Sequence, residues 1–193
     1  MDSLEFTDLS YEPGEYSLSD EKMESAVIGM YQRVFNNSPY GENFDYELAE
    51  DIVQGIRGKD TEGLLAVQDG MPVGFAWGEV LEPGDREIFP DEIPGEFFDG
   101  SSYYFAELGV LPDYRDQGLG KELKRRELEK VKNREDIDKG LMRTSVEEND
   151  KKLGLDSDLG FEALEPDGEP VTEEVESVGV EGSDLRGYFW RPV

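Results

Sequence analysis

Arg115, Gly118 and Gly120 lie directly after the apolar run Tyr103–Leu111 and directly before Lys121, Lys124, Arg125 and Arg126. A strand ending at Leu111, a proline that stops its ladder and two glycines opening a helix would let the main chain approach a ligand closely. The N–H groups and dipole at a helix start favour an anion, phosphate above all. Charge points to the same place. Residues 115–152 hold 12 of the 19 basic residues against 10 of the 47 acids, whereas the rest of the chain carries 7 bases and 37 acids. The stretch can also be read as a solvated helix whose cations pair with glutamates at i,i+4. One carboxylate, Glu107, interrupts the strand YYFAELGVL. It can serve as a proton acceptor or simply face outward from a half-buried strand.

Composition narrows the chemistry. The chain has no cysteine and no histidine. Disulfides, thiolate nucleophiles, serine–histidine triads, imidazole acid–base work and the usual zinc sites are therefore excluded. Proton transfer is left to carboxylate, tyrosine, lysine or the backbone. The net charge is −28, with the acids dispersed along the chain, and 36% hydrophobic and 11% aromatic content argues for a folded core. A surface tuned to concentrated salt, as in salt-accumulating archaea, accounts for this pattern, because screening shortens to about 3 Å at 1 M. Nucleic acid is a poor partner for such a surface. The N-terminal MDSLEFTDLS lacks a signal pattern and no run of about 18 apolar residues occurs, so a soluble, cytoplasmic protein without membrane contact is expected. A length of 193 residues fits one domain, 1–193.

Strands and helices alternate. Residues 3–8 read as a strand. Ser19 reads as an N-cap, with Met23, Ala26, Val27, Met30, Tyr31, Val34 and Phe35 forming one helical face that ends at Asn36-Asn37-Ser38-Pro39. A second helix spans about 45–57, with Leu48, Ile52 and Ile56 on one face and Gly58 after its end. Leu64–Gln68 and Val73–Val80 flank the turn pair Asp69-Gly70, a hairpin signal. Residues 81–100 are too rich in proline and glycine for regular structure and read as a long loop with Phe89, Phe97 and Phe98 to fold over something. Strand Tyr103–Leu111, helix Gly118–Lys132, strand Leu141–Val146, a short helix 149–158 and strand Phe161–Leu164 follow. An acidic connection, 165–184, leads to a final strand LRGYFWRPV.

A dinucleotide fold is disfavoured because its third glycine would fall at Leu123, and a P-loop lacks its Gly-Lys-Ser/Thr. The segment LGVLPDYRDQGLGKEL instead resembles the acetyl-CoA-binding segment of the GNAT superfamily of N-acetyltransferases, whose signature is Gln/Arg-x-x-Gly-x-Gly/Ala. LMRTSVEEND followed by DLGFEAL resembles that superfamily's strand, helix-start asparagine and closing Leu-Gly-Phe, with Asn149 eleven residues before Gly160. The likeness covers roughly 20–192. It implies an α/β (α+β) domain with a mixed, mostly antiparallel sheet of six to seven strands and about four helices.

The resemblance also implies roles. Main-chain groups of Leu108 and Val110 would pair with the pantetheine arm of acetyl-CoA. Amides of Arg115, Asp116, Gln117, Gly118, Leu119, Gly120 and Lys121 would cradle the pyrophosphate, with Arg115 adding charge, and Asn149 would bond the cofactor near its thiol. Acetyl would pass directly to a primary amine of a small molecule or protein, with no metal. Glu107 would take the amine proton, directly or through water. Many relatives carry a tyrosine seven residues after the asparagine to protonate the leaving thiolate, but this chain has Asp156 there. Tyr103, Tyr104, Tyr188 or water could substitute. The alternative is a non-catalytic acyl-CoA-binding module of the same fold. A homodimer is left open.

Overall fold

The computed structural model describes residues 4–9, 21–37, 40–55, 59–146, 158–181 and 183–193. The expected short helix 149–158, with Asn149 and Asp156, lies outside them save for its last residue; Ser19, Ile56 and Gly58 lie outside too.

By contact, the chain forms two compact units. The first comprises Met1–Glu79, Glu107–Glu129 and Val178–Val180; the second, Val80–Ala106, Lys130–Ser177 and Glu181–Val193. In the first unit, the apolar spacing read from the sequence forms helix α1 (Glu21–Phe35), which buries Val27, Ile28, Met30, Tyr31 and Val34. Asn36 turns the chain after it, because its amide donates to the Phe44 carbonyl (2.9 Å) and its oxygen accepts the Phe44 N–H (2.8 Å). Asp45 then caps helix α2 (Tyr46–Gly55) by accepting the Leu48 N–H at 2.9 Å. Strand β1 (Glu5–Asp8) pairs antiparallel with β2 (Thr61–Gln68), and β2 pairs with β3 (Met71–Val80). The hairpin between them turns through Asp69 and Gly70 with φ of 52° and 75°, the left-handed pair of a type I′ turn.

Phe75 and Trp77 of β3 stack at 4.2 Å, and the Tyr31 ring of α1 lies parallel to both. Each buried ring contributes roughly 1.5–3 kcal/mol of transfer free energy. Strand β4 (Ser102–Val110) runs on from the second unit into the first and leads to helix α3 (Leu119–Lys132).

Within the second unit, β4 is parallel to β5 (Lys139–Ser145) over Ser102–Phe105. Strand β8 (Ser183–Pro192) pairs with β5 along one edge. Its other edge is shared by β6 (Glu162–Ala163), opposite Phe189 and Trp190, and β7 (Thr172–Glu176), opposite Ser183–Gly187. The strand order is β1-β2-β3-β4-β5-β8-β6, with β7 on β8, and all pairings described except β4–β5 are antiparallel.

Two expectations are corrected. Among the described residues eight strands form rather than six to seven. The additional one, β7, lies in the stretch read as an acidic connection. TEEVE alternates between exposed and half-buried positions, and Glu173 takes an inner one because Arg143 of β5 neutralises it there. The second concerns 81–100. Its glycines and prolines make short 3₁₀ turns at Pro83–Ile88 and Gly95–Phe97. Leu81, Ile93, Phe97 and Phe98 enter a core with Leu141, Leu164, Val171 and Tyr188. Arg86 fastens the segment, donating to the carbonyls of Pro90 and Asp91 at 2.8 Å each.

Candidate active site

Glu107 sits half-buried on β4, and Tyr31 of α1 donates its hydroxyl to the Glu107 Oε1 at 3.2 Å. Alongside, Gly109 lies under the Phe75 ring. A Cβ there would come within 2.3 Å of Phe75 Cζ, so only glycine lets this ring lie against β4. The β4–β5 ladder ends at the Phe105–Met142 pair, before Leu108 and Val110 are reached.

Beyond Val110 the chain makes a 3₁₀ turn, Pro112–Tyr114, and then enters the left-handed region twice, at Asp116 (φ 57°) and Gly118 (φ 80°). Asp116, Gln117 and Gly118 are exposed, and nothing lies within 4 Å of a Cβ placed on Gly118. The open space there comes with a backbone conformation that non-glycine residues seldom adopt. Glu122 N–H donates to the Gly118 carbonyl (3.0 Å), the first turn of α3. Amides ahead of it, those of Leu119 and Gly120 among them, point out of the helix start, the arrangement that suits a diphosphate. A Cβ on Gly120 would meet Val110 and Leu108 only at ordinary contact distances, which fits a Gly/Ala position.

Arg115 is placed differently from expectation. Its Nε donates to the Val110 carbonyl (2.9 Å) and an Nη to the Val34 carbonyl in the last turn of α1 (3.1 Å). Those bonds tie the loop to β4 and to a helix C-terminus that needs donors. Further along the basic stretch, Arg125 and Arg126 both turn to Glu122 at 2.6–2.9 Å. The Arg125 hydrogen bond, ahead of Arg126, lowers the Glu122 carboxyl to about 2 against burial. Arg126 also lies over the Phe6 ring at 4.0 Å. For these two arginines the reading as helical ion pairs is the one the structure bears out.

A family model for the acetyltransferase (GNAT) family matches residues 21–161. The chain belongs to the GNAT family of acetyltransferases. No curated protein matches by sequence. Among solved structures, similarity extends to a ribosomal-protein-alanine N-acetyltransferase from Brucella melitensis (17% identity, TM-score 0.63, 91% of this chain and 97% of that one). It extends also to Arabidopsis thaliana NAA60 in complex with a bisubstrate analogue (14%, 0.62, 97% and 98%). A third is yncA, a putative acetyltransferase from Salmonella typhimurium with its cofactor acetyl-CoA (12%, 0.63, 97% and 94%). At these identities the likeness shows the fold, a mixed α/β GNAT fold with a mostly antiparallel sheet.

The tyrosines weighed for this GNAT chain differ in their surroundings. Tyr103 is fully buried against Phe105. Tyr188 is also buried, and its hydroxyl donates to Glu173 at 3.0 Å. Burial pushes the Tyr188 phenol well above its ordinary value, with Arg143 opposing. Arg143 pairs with Glu173, and although burial favours its neutral form, the guanidinium stays charged. Tyr104 is half-buried, with the Phe89 ring edge-on at 5.1 Å.

Sequence reading placed Tyr31 among core residues and missed its bond to Glu107. The available signal was a phenol among aliphatic positions, since a buried tyrosine hydroxyl requires a partner. Among the described residues, no group of three or more acids is placed to hold a metal, and no helix is long and apolar enough to cross a membrane.

Proposed function

We propose that this chain is an acetyl-CoA-dependent N-acetyltransferase acting on a primary amine of a small molecule or protein. The observation that supports it most is a carboxylate held by a tyrosine on the strand that runs into the left-handed turn at Asp116 and Gly118. Acetyl-CoA, when bound, supplies the thioester carbon that accepts the amine. The amides from Asp116 to Lys121 hold its pyrophosphate, whereas the Arg115 N–H, also expected there, is committed to the Pro112 carbonyl at 3.2 Å; main-chain groups of Leu108 and Val110 hold its pantetheine arm. Arg115 serves mainly by bracing the loop. Asn149 binds near the thiol end. Glu107 removes the amine proton, directly or through one water, before attack. Tyr104 is the phenol best suited to protonate the departing thiolate, because Tyr103 is buried and the Tyr188 hydroxyl is committed to Glu173. Asp156 remains the other group for that step. The proposal includes a salt-rich cytoplasm, supported by the charge of −28.

The test is thiol release from acetyl-CoA in molar KCl, offered short peptides with free α-amino groups and simple primary amines. With no cysteine in the chain, a thiol-reactive dye reports only CoA. Glu107→Gln should lower kcat by about 10²-fold, the usual general-base contribution, with CoA affinity unchanged. CoA binding without transfer to any amine would instead identify a binding module.

A further inference from the structure

We infer that Tyr31 is a positioning residue for Glu107: it fixes one carboxylate oxygen of the proposed base and biases that group toward its proton-accepting form. The inference rests on the reading of Glu107 as the base, and it reaches a helix to which that reading assigned no role.

The geometry has three parts. First, the Tyr31 ring cannot swing. It is 2% exposed and held by Phe35 at 4.6 Å, edge-on by Phe44 at 5.3 Å, and in parallel stacks by Phe75 at 5.7 Å and Trp77 at 6.1 Å. Its hydroxyl is therefore aimed by the core, and it donates to the Glu107 Oε1 at 3.2 Å across 76 residues of sequence. Second, a hydroxyl that donates to the ionised form of a carboxyl stabilises that form. A glutamate of ordinary pKa is already ionised at neutral pH, so what the bond adds to an amine-deprotonating step is aim. Engaging one oxygen also restrains rotation of the carboxylate, which fixes the direction from which it can meet the proton being removed. Third, α1 is anchored beside this contact. Val34, one turn beyond Tyr31, accepts the Arg115 guanidinium, and Arg115 also holds the Val110 carbonyl. One helix face thus meets both the base and the brace of the glycine loop, which fixes where the phenol is delivered.

Tyr31→Phe keeps the ring and removes only the hydroxyl. The direct readout needs no acceptor: carboxyl-13C NMR of protein labelled at glutamate Cδ, with the Glu107 resonance identified by its loss in Glu107→Gln. In Tyr31→Phe the Glu107 titration should move to higher pH. Turnover near neutral pH should fall about tenfold, with KM for acetyl-CoA unchanged, and the acidic limb of the rate profile should move the same way. Placed on Glu107→Gln, the tyrosine change should have no further effect on turnover. Coincident Glu107 titrations, or the same tenfold loss in the Glu107→Gln background, would overturn the inference. Should Tyr31→Phe fold poorly, 3-fluorotyrosine at position 31 keeps the shape, and its more acidic hydroxyl should move the titration downward. Wild-type turnover in Glu107→Gln would remove the base reading itself, whereas a slowed Glu107→Gln beside an unaltered Tyr31→Phe removes only the role given to Tyr31.

Discussion

Gly118→Asp separates the proposed pyrophosphate cradle from mere turn chemistry. The new Cβ meets nothing within 4 Å, so no clash arises. The cost to the fold is the left-handed φ of 80°, which aspartate tolerates for about 1 kcal/mol. Against a typical total stability of about 5–15 kcal/mol, the fold survives. Binding is another matter. A carboxylate at roughly 5 Å from a phosphate charge, at an effective dielectric of about 20, is repelled by about 3 kcal/mol. In molar KCl the screening length is about 3 Å, so roughly a fifth of that remains, about 0.6 kcal/mol or a threefold loss in affinity. Gly118→Asn copies the shape and strain without the charge. Calorimetric titration with CoA in molar KCl should therefore rank wild type, then Gly118→Asn, then Gly118→Asp, the last two differing by about threefold. Melting curves should stay within a few degrees of each other. Equal dissociation constants for Gly118→Asp and Gly118→Asn, both folded and both matching wild type, would refute the argument that the diphosphate sits at this turn.

Gly109→Ala should destabilise the protein by about 3 kcal/mol or more in a denaturant titration, because its Cβ would sit 2.4 Å or less from two Phe75 ring carbons that cannot retreat. An unchanged midpoint would mean that the ring is freer than its stack with Trp77 implies. Acid should weaken the α3 ion pairs in a defined window. The Glu122 carboxyl is lowered in the fold from 4.5 to about 2, so its contribution is complete above the higher value and fades as pH falls toward the lower. Glu122→Gln should remove that part of the acid slope, a small part because the pairs are solvated. Raising KCl from 0.1 to 2 M should raise the melting temperature by screening the −28 surface; a flat response would argue against a salt-adapted fold.

Much of the scaffold was legible because its signals are local. The α1 face, the Asp69-Gly70 hairpin and the glycines before α3 each carry their instruction within a few residues. What escaped depends on distant partners. Glu173 reads as a loop acid until Arg143, 30 residues earlier, is seen beside it. Phe97 and Phe98 look like a flap until Leu141 and Tyr188 close over them. At the site, the Arg115 guanidinium bonds the Val34 carbonyl, 81 residues away, a contact that no local pattern reveals. The bond between Tyr31 and Glu107 was hidden for the same reason.

The position of β8 in the chain has a consequence for how the molecule is made. It follows β5, β6 and β7 in sequence yet pairs with all three. During synthesis, at roughly 5–20 residues per second, those strands emerge before the segment that joins them. The β2–β3 hairpin can close as soon as its turn is translated. The second unit must instead wait, with Leu141, Leu164 and Val171 lacking their shared cover until Tyr188 arrives. A premature stop before Ser183 would therefore remove one strand, leave β6 and β7 without the partner described for them and bare an edge of β5, giving the kind of species that chaperones retain and proteases clear.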